Sequence, residues 1–409
     1  MKCRHCGADA TLVLVDLGSA PPSNAYLTRD QLRRPEAWLP LRVLVCERCW
    51  LAQTEDFVRA DDVFGADYGY FSAFSSTWLA HSERYVSDMV SRFGLNAGSH
   101  VVEVASNDGY LLQYVKARGI PCTGIEPTAS TAAAARDRGI PVVGAFFGVE
   151  LAEQLARGGS HADLMTANNV LAHVPDINDF VRGFTMLLKP HGVATFEFHH
   201  VKRLVDGCQF DTIYHEHFSY LSLTAVETIF AAAGLAIFDV EEHATHGGSL
   251  RVFAQRADGG PYPRAPAVEA LLAAEATAGM RSPGYYARFQ ERVMKVKYEF
   301  LSFLLATRAD GQTVVGYGAA AKGNTLMNFA GVRQDLISFV ADRNPAKQGR
   351  YLPGSRVPIV DVATLMGARP DYVLILPWNL RDEVIGELAD VREWGGRFVT
   401  AVPELKILA

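Results

Sequence analysis

At 409 residues the chain exceeds one ordinary core, and 49% of it is hydrophobic, so two or three well-packed domains are expected. A formal charge of -6 without a long Lys/Arg block gives no electrostatic footprint for nucleic acid, although a small acidic or phosphorylated ligand could still find a local basic site. No apolar run reaches membrane-spanning length, and the opening Met1-Lys2-Cys3-Arg4-His5-Cys6 is neither a signal nor a transit sequence, so the expected compartment is the cytoplasm.

The first segment, about 55 residues, carries two cysteine pairs, Cys3-x-x-Cys6 and Cys46-x-x-Cys49, and short β-rich runs such as residues 39–45. Each pair can place two thiolates on one side of a metal ion, and four thiolates complete a tetrahedron. The expectation is a structural zinc site with no position left for a catalytic water, and with His5 as a spectator. Such a site would substitute for a missing core.

A helix is expected through residues 75–93, after the aromatic stretch that contains Tyr68 and Tyr70. From His100 onward strands and helices alternate, with strands at 101–104, 122–126, 141–143, 162–166 and 192–198 and helices at 109–118 and 180–188. Alternation of this kind predicts a parallel, doubly covered sheet of Rossmann type. Residues 235–238 and 248–254 read as a hairpin that closes it. Past the linker at 259–263 and helices at 267–277 and 285–308, four further strands predict a second, smaller α/β unit.

The loop after the first sheet strand, Glu103-Val104-Ala105-Ser106-Asn107-Asp108-Gly109, sits where open α/β sheets bind ligands. Ala105, Ser106 and Gly109 let backbone approach a ligand closely. Glu126, at the end of the next strand, suits two ribose hydroxyls. A GxGxxG pattern is absent, and the acidic Glu103 suits a cationic cofactor without a pyrophosphate, which points to S-adenosylmethionine. Phe146 would offer adenine an apolar wall. Asn168 and His173 follow the fourth strand, where the reactive sulfonium should sit; His173 could also simply cap a helix.

The richest chemical segment is Asp211-Thr212-Ile213-Tyr214-His215-Glu216-His217, with His199 at the end of the preceding strand. Three readings stand open: metal binding by His215 and His217, a structural polar network, or base catalysis by a histidine tuned by Glu216. Methyl transfer to carbon beside a ketone needs a base for the C–H proton and a donor for the enolate. His217 suits the first role, and Tyr214 or His173 the second. In the last unit, Gly316-Tyr317-Gly318-Ala319-Ala320-Ala321 fits a relaxed dinucleotide fingerprint, while Lys322 and Asn324 could instead meet the diphosphate of a sugar nucleotide. Cys122 and Cys208 read as buried thiols.

Taken together, the four-cysteine module, residues 103–109, Asn168 to Asp176, Tyr214 to Tyr220 and Gly316 to Asn324 run in an order that resembles the sugar C-3'-methyltransferases of antibiotic pathways, which act on nucleotide-linked 4-keto-deoxysugars. The resemblance implies three domains: a zinc-binding module (1–67), an S-adenosylmethionine-binding methyltransferase domain (68–257) and a C-terminal α/β domain (258–409) that helps hold the sugar nucleotide. It also implies methylation at C-3 of a dTDP-linked 4-keto-deoxysugar, with His217 as base, Glu216 and Tyr214 as helpers, and Tyr68 and Tyr70 over the cofactor. Two other readings remain: an O- or N-methyltransferase of a sugar or small metabolite, or a non-catalytic module whose zinc knuckles dock a partner.

Overall fold

The computed structural model describes residues 1–57 and 71–408, so Tyr68 and Tyr70 lie outside the described residues. Three sheets organise the chain. In the first, β1 (Leu12–Ala20), β2 (Leu39–Val45) and β3 (Ala52–Thr54) pair antiparallel, with Val43 opposite Thr54. The second holds β4 (Val101–Val104), β5 (Cys122–Ile125), β6 (Val142–Val143), β7 (Ala162–Asn168) and β8 (Leu188–His199). After β9 (Ser219–Tyr220), the fourth strand of the first sheet, β10 (Leu235–His243) and β11 (Ser249–Arg256) complete the second.

The spatial order of this second sheet is β6-β5-β4-β7-β8-β11-β10, in which β11 alone runs against its neighbours. All four residues of β4 are buried, as a strand covered on both faces requires. The order reverses between β4 and β7, which opens a crevice at their carboxyl ends.

The third sheet comprises β12 (Val314–Tyr317), β13 (Val340–Ala341), β14 (Ile359–Val360), β15 (Tyr372–Ile375), β16 (Arg397–Thr400) and β17 (Lys406–Leu408). Its order, β14-β13-β12-β15-β16-β17, places a second switch point between β12 and β15. The sequence predicts four of these strands; the two-residue β14 and the antiparallel edge β17 are too short to carry a period of their own.

Several boundaries differ from expectation for local reasons. The helix expected at 109–118 is Leu112–Ala117, because Gly109 is left-handed (φ 78°) and holds the preceding turn open. The helix expected at 180–188 starts at Ile177, where the Asp176 carboxylate accepts from the Asp179 amide. The long helix expected at 285–308 splits into Pro283–Tyr286 and Phe289–Ala309.

The N-terminal segment is not a free-standing bead. Leu14, Val43 and Val45 share one buried cluster with Phe210, Phe289 and Leu326. A second cluster runs from Cys46 and Leu51 into Phe180, Phe184 and Phe196 beside the seven-stranded sheet. No helix among the described residues is long and apolar enough to cross a membrane.

Candidate active site

At the first crevice, three of five consecutive residues in the loop after β4 adopt left-handed backbone: Ala105 (φ 55°), Asn107 (φ 48°) and Gly109. Strain at a non-glycine residue is costly, and here two such residues turn the loop at the strand end. Glu126 closes it, accepting from the Asn107 amide through one oxygen and from the Thr128 amide through the other, both at 2.9 Å. Each oxygen keeps a second lone pair for a ligand. Ser106 and Asn168 are buried at the same place, and Phe146 is half exposed in the loop after β6.

Glu103 is wholly buried, and neither of its carboxylate oxygens makes a well-aligned hydrogen bond. Burial holds its pKa well above the carboxylate range, the Tyr110 hydroxyl only partly offsetting this. A buried acid beside a ligand crevice fits a cationic ligand, whose charge would repay the desolvation.

The histidine loop packs on the segment that follows β7, where the Phe218 amide donates to the Ala172 carbonyl (2.8 Å). Nδ1–H of His217 donates to the Thr212 carbonyl (2.8 Å), so the neutral ring presents an unprotonated Nε2. Burial, with help from His173, holds the His217 pKa well below its ordinary value and keeps the ring neutral at physiological pH. The Tyr214 and His217 ring centroids lie 4.0 Å apart, and those of His173 and His217 4.6 Å. His173 in turn donates from Nδ1 to the Glu216 carbonyl (2.8 Å), and burial pushes its pKa down to about 4. The His199 Nε2–H donates to Gln209 Oε1 (2.8 Å), an amide fixed by its own bond to the Gly247 carbonyl.

Two expectations for this loop are corrected. The Glu216 carboxylate does not orient His217; it turns away to accept from the main-chain and side-chain amides of Asn24 (3.3 and 3.2 Å). His215 likewise points the other way, its Nε2 at 3.3 and 3.1 Å from the Leu39 and Pro40 carbonyls on β2. Side chains one and two apart on an irregular turn need not share a face, and here they grip the N-terminal sheet instead. His215 and His217 therefore do not chelate one ion.

The second α/β unit also contacts the loop, through Trp378 and Thr325. Lys322 is the second residue of the helix Ala321–Ala330, donates to Asn379 Oδ1 (2.9 Å) and lies over the Trp378 ring (4.6 Å). Trp378 Nε1–H donates to Asp211 Oδ2 (2.7 Å), and burial raises the Asp211 pKa to about 6. Asn324, expected beside Lys322 at a diphosphate, is instead fully buried and donates to the Ser23 carbonyl (2.6 Å).

The four cysteines converge: their sulfurs lie within 4.8 Å of one another, with Cys3–Cys49 at 3.6 Å and Cys6–Cys46 at 3.5 Å. Tetrahedral zinc with Zn–S bonds of about 2.3 Å requires sulfurs roughly 3.8 Å apart, so the donor set fits that ion. His5 bonds Asn178 (2.7 Å) and stays out of the cluster.

Comparison with known proteins decides the class. The chain is 36% identical to the C-methyltransferase NovU of Streptomyces niveus, over 100% of this chain and 97% of the relative. The C-methyltransferase C-terminal domain family matches residues 244–403, a methyltransferase domain family 78–240, and a zinc binding domain family 3–64. The chain belongs to the C-methyltransferases. Among solved structures, the magnesium protoporphyrin IX methyltransferase of Synechocystis with bound SAM is similar over 44% of this chain and 79% of its own, at 15% identity and a TM-score of 0.34. A protein of Pyrococcus horikoshii matches over 46% and 94%, at 14% identity and a TM-score of 0.38. Likeness at that level bears on neither site nor substrate.

This C-methyltransferase uses S-adenosylmethionine and carries a zinc-binding domain. The zinc sheet reaches the candidate site directly. Thr54 on β3 donates its hydroxyl to the His217 carbonyl (2.9 Å) and its amide to the Phe218 carbonyl (3.1 Å). Thr212, Gln209, Trp378 and His246 escape the sequence reading. For Thr212 no signal exists, because a main-chain carbonyl does the orienting and every residue type has one. Trp378, just past the end of β15, was recoverable from the switch-point rule applied to the second sheet.

Proposed function

We propose that this enzyme methylates C-3 of a dTDP-linked 4-keto-deoxysugar, with His217 as the base. What carries the proposal is the lone pair of His217 Nε2, on a ring that stays neutral at physiological pH and packs against His173, just past the end of β7. The sequence resemblance to sugar C-methyltransferases supports the substrate class. His217 takes the C-3 proton; the electrons of that C–H bond form a C3=C4 double bond as the carbonyl pair moves onto the C-4 oxygen. When bound, S-adenosylmethionine supplies the methyl group, its carbon–sulfur bond breaking with the pair going to sulfur as the bond to C-3 forms. His173 and Tyr214 pack on the His217 ring and hold it in place. Thr212 fixes the tautomer.

His217→Asn should cut turnover by about 1,000-fold, the usual scale for losing a general base, while the affinity for S-adenosylmethionine in calorimetry changes by less than about threefold. Undiminished turnover rejects the base. Substrate deuterated at C-3 separates this reading from O- or N-methylation: only the carbon reaction releases the label to solvent.

A further inference from the structure

Resting on that reading, we propose that the Lys322 ammonium is a catalytic group that meets the C-4 oxygen of the substrate as its negative charge develops. The diphosphate, expected at this lysine from sequence, is placed elsewhere by the same argument.

Lys322 is anchored to the turn that carries the base. Its ring partner Trp378 holds Asp211, and the next residue, Thr212, supplies the carbonyl that orients His217. The Trp378 ring edge also abuts Gly247, where an added Cβ would lie 2.5 Å from Cη2. The Gly247 carbonyl fixes the Gln209 amide that bonds His199. The ammonium therefore sits among the imidazoles, and its charge is one of the influences that lower the pKa values of His217, His199 and His246.

Two of the imidazoles nearby are poor candidates for the oxyanion. His173 and His199 each spend their single N–H on a protein acceptor, so neither neutral ring has a donor left. Lys322 does. Of its three N–H groups one reaches Asn379, and among the described residues no carboxylate lies within 4.0 Å of its nitrogen. Asp211 is close enough to favour the charge, yet its buried Oδ1 lacks a hydrogen-bond partner. A buried cation without a contact ion pair is costly unless a ligand brings the negative charge.

A diphosphate would need the amides of the glycine turn before this helix, and those are engaged. The Gly318, Ala319 and Ala320 amides donate to the Ala341 carbonyl (2.7 Å), to Asp342 Oδ2 (2.7 Å) and to the Gly318 carbonyl (2.8 Å) in turn. The Asp342 carboxylate at that position would repel a second anion.

Burial lowers the Lys322 pKa to about 8, so the group is charged at neutral pH and loses its charge just above it. The test follows exchange of the C-3 proton for solvent deuterium by NMR, using a dTDP-4-keto-deoxysugar with S-adenosylhomocysteine present. Lys322→Met should slow exchange by about 100-fold or more, the scale for removing one oxyanion donor, with the affinity for dTDP held within about threefold. Lys322→Arg should retain measurable exchange and extend its plateau above pH 9, where the native rate falls; this arm stands even if the Met variant does not fold. Loss of dTDP affinity with exchange per bound substrate unchanged would overturn the proposal in favour of the diphosphate. So would an unshifted alkaline limb in the Arg variant. Absence of C-3 exchange in the native enzyme would instead reject the proposed carbon reaction itself.

Discussion

Replacing Glu197 by glutamine should cost the fold about 3–5 kcal/mol at pH 7. Glu197 lies in the buried run of β8 and is fully shielded from solvent. One oxygen accepts from Arg251 (2.7 Å) and His81 (2.8 Å), the other from the Thr245 hydroxyl (2.9 Å). Burial alone would raise its pKa, but His81 and Arg251 outweigh it and hold the carboxyl at about 2, against an ordinary 4.5. At about 1.4 kcal/mol per pH unit that difference is worth roughly 3 kcal/mol at neutrality. The variant also leaves the buried Arg251 guanidinium with Glu241 (3.3 Å) as its one remaining carboxylate partner among the described residues, the situation in which breaking a buried pair costs about 3–5 kcal/mol. Because the folded pKa is depressed, the stabilisation is present in full above about pH 5 and is lost as pH falls towards 2. Urea unfolding followed by circular dichroism should therefore show the gap between native and variant shrinking by about 1.4 kcal/mol between pH 7 and pH 3.5. A gap below about 1 kcal/mol at pH 7, or one that widens in acid, refutes the reasoning.

Removing zinc by chelation should raise amide hydrogen exchange in residues 214–220, since β9 is paired to β3 of the zinc sheet, and should abolish turnover. Metal-free enzyme that turns over normally would show that the module does not hold the histidine loop. Gly124→Ala would place a Cβ 2.4 Å from Ser106 Oγ and 2.9 Å from Ser106 Cβ, directly beneath the cofactor loop. Overpacking of that kind costs about 1–3 kcal/mol, so calorimetry should find S-adenosylmethionine binding weakened by about tenfold or more; unchanged affinity would exclude Ser106 from the cofactor site.

What the sequence made legible is what short spacing encodes. Each CxxC pair lies on one turn, and the cluster of four sulfurs needs only that two such turns meet. The loop 103–109 was readable because small residues after a buried strand have few other uses. His217 could be chosen by residue type, but its partners could not. Glu216 is adjacent in sequence and faces Asn24, whereas the Thr212 carbonyl, five residues upstream, does the orienting. Likewise β9 is two residues long, and its pairing with β3 spans more than 160 positions, so no local period could announce it. Asn324 failed as a ligand residue because its helix packs its polar face onto Ser23 of the N-terminal segment, a contact invisible to pattern.

The proposed chemistry gives a reason for three sheets where one would bind the cofactor. An enolate in contact with water is reprotonated at once, so alkylation at carbon needs a site from which water is excluded and in which no stray donor touches C-3. A single open sheet leaves its crevice exposed on one side. Here the switch point of the second sheet is capped by that of the third: Asn169, past the end of β7, bonds His246, and Gly247 next to it meets Trp378, past the end of β15. Between them the loop 209–217 is gripped from three directions, by Thr54 of the zinc sheet, by Thr325 donating to the Ile213 carbonyl (2.8 Å), and by His173 from the methyltransferase sheet. A loop so held can keep an imidazole in one orientation without help from its own neighbours in sequence, which is why the carboxylate beside it was free to be spent on the N-terminal segment.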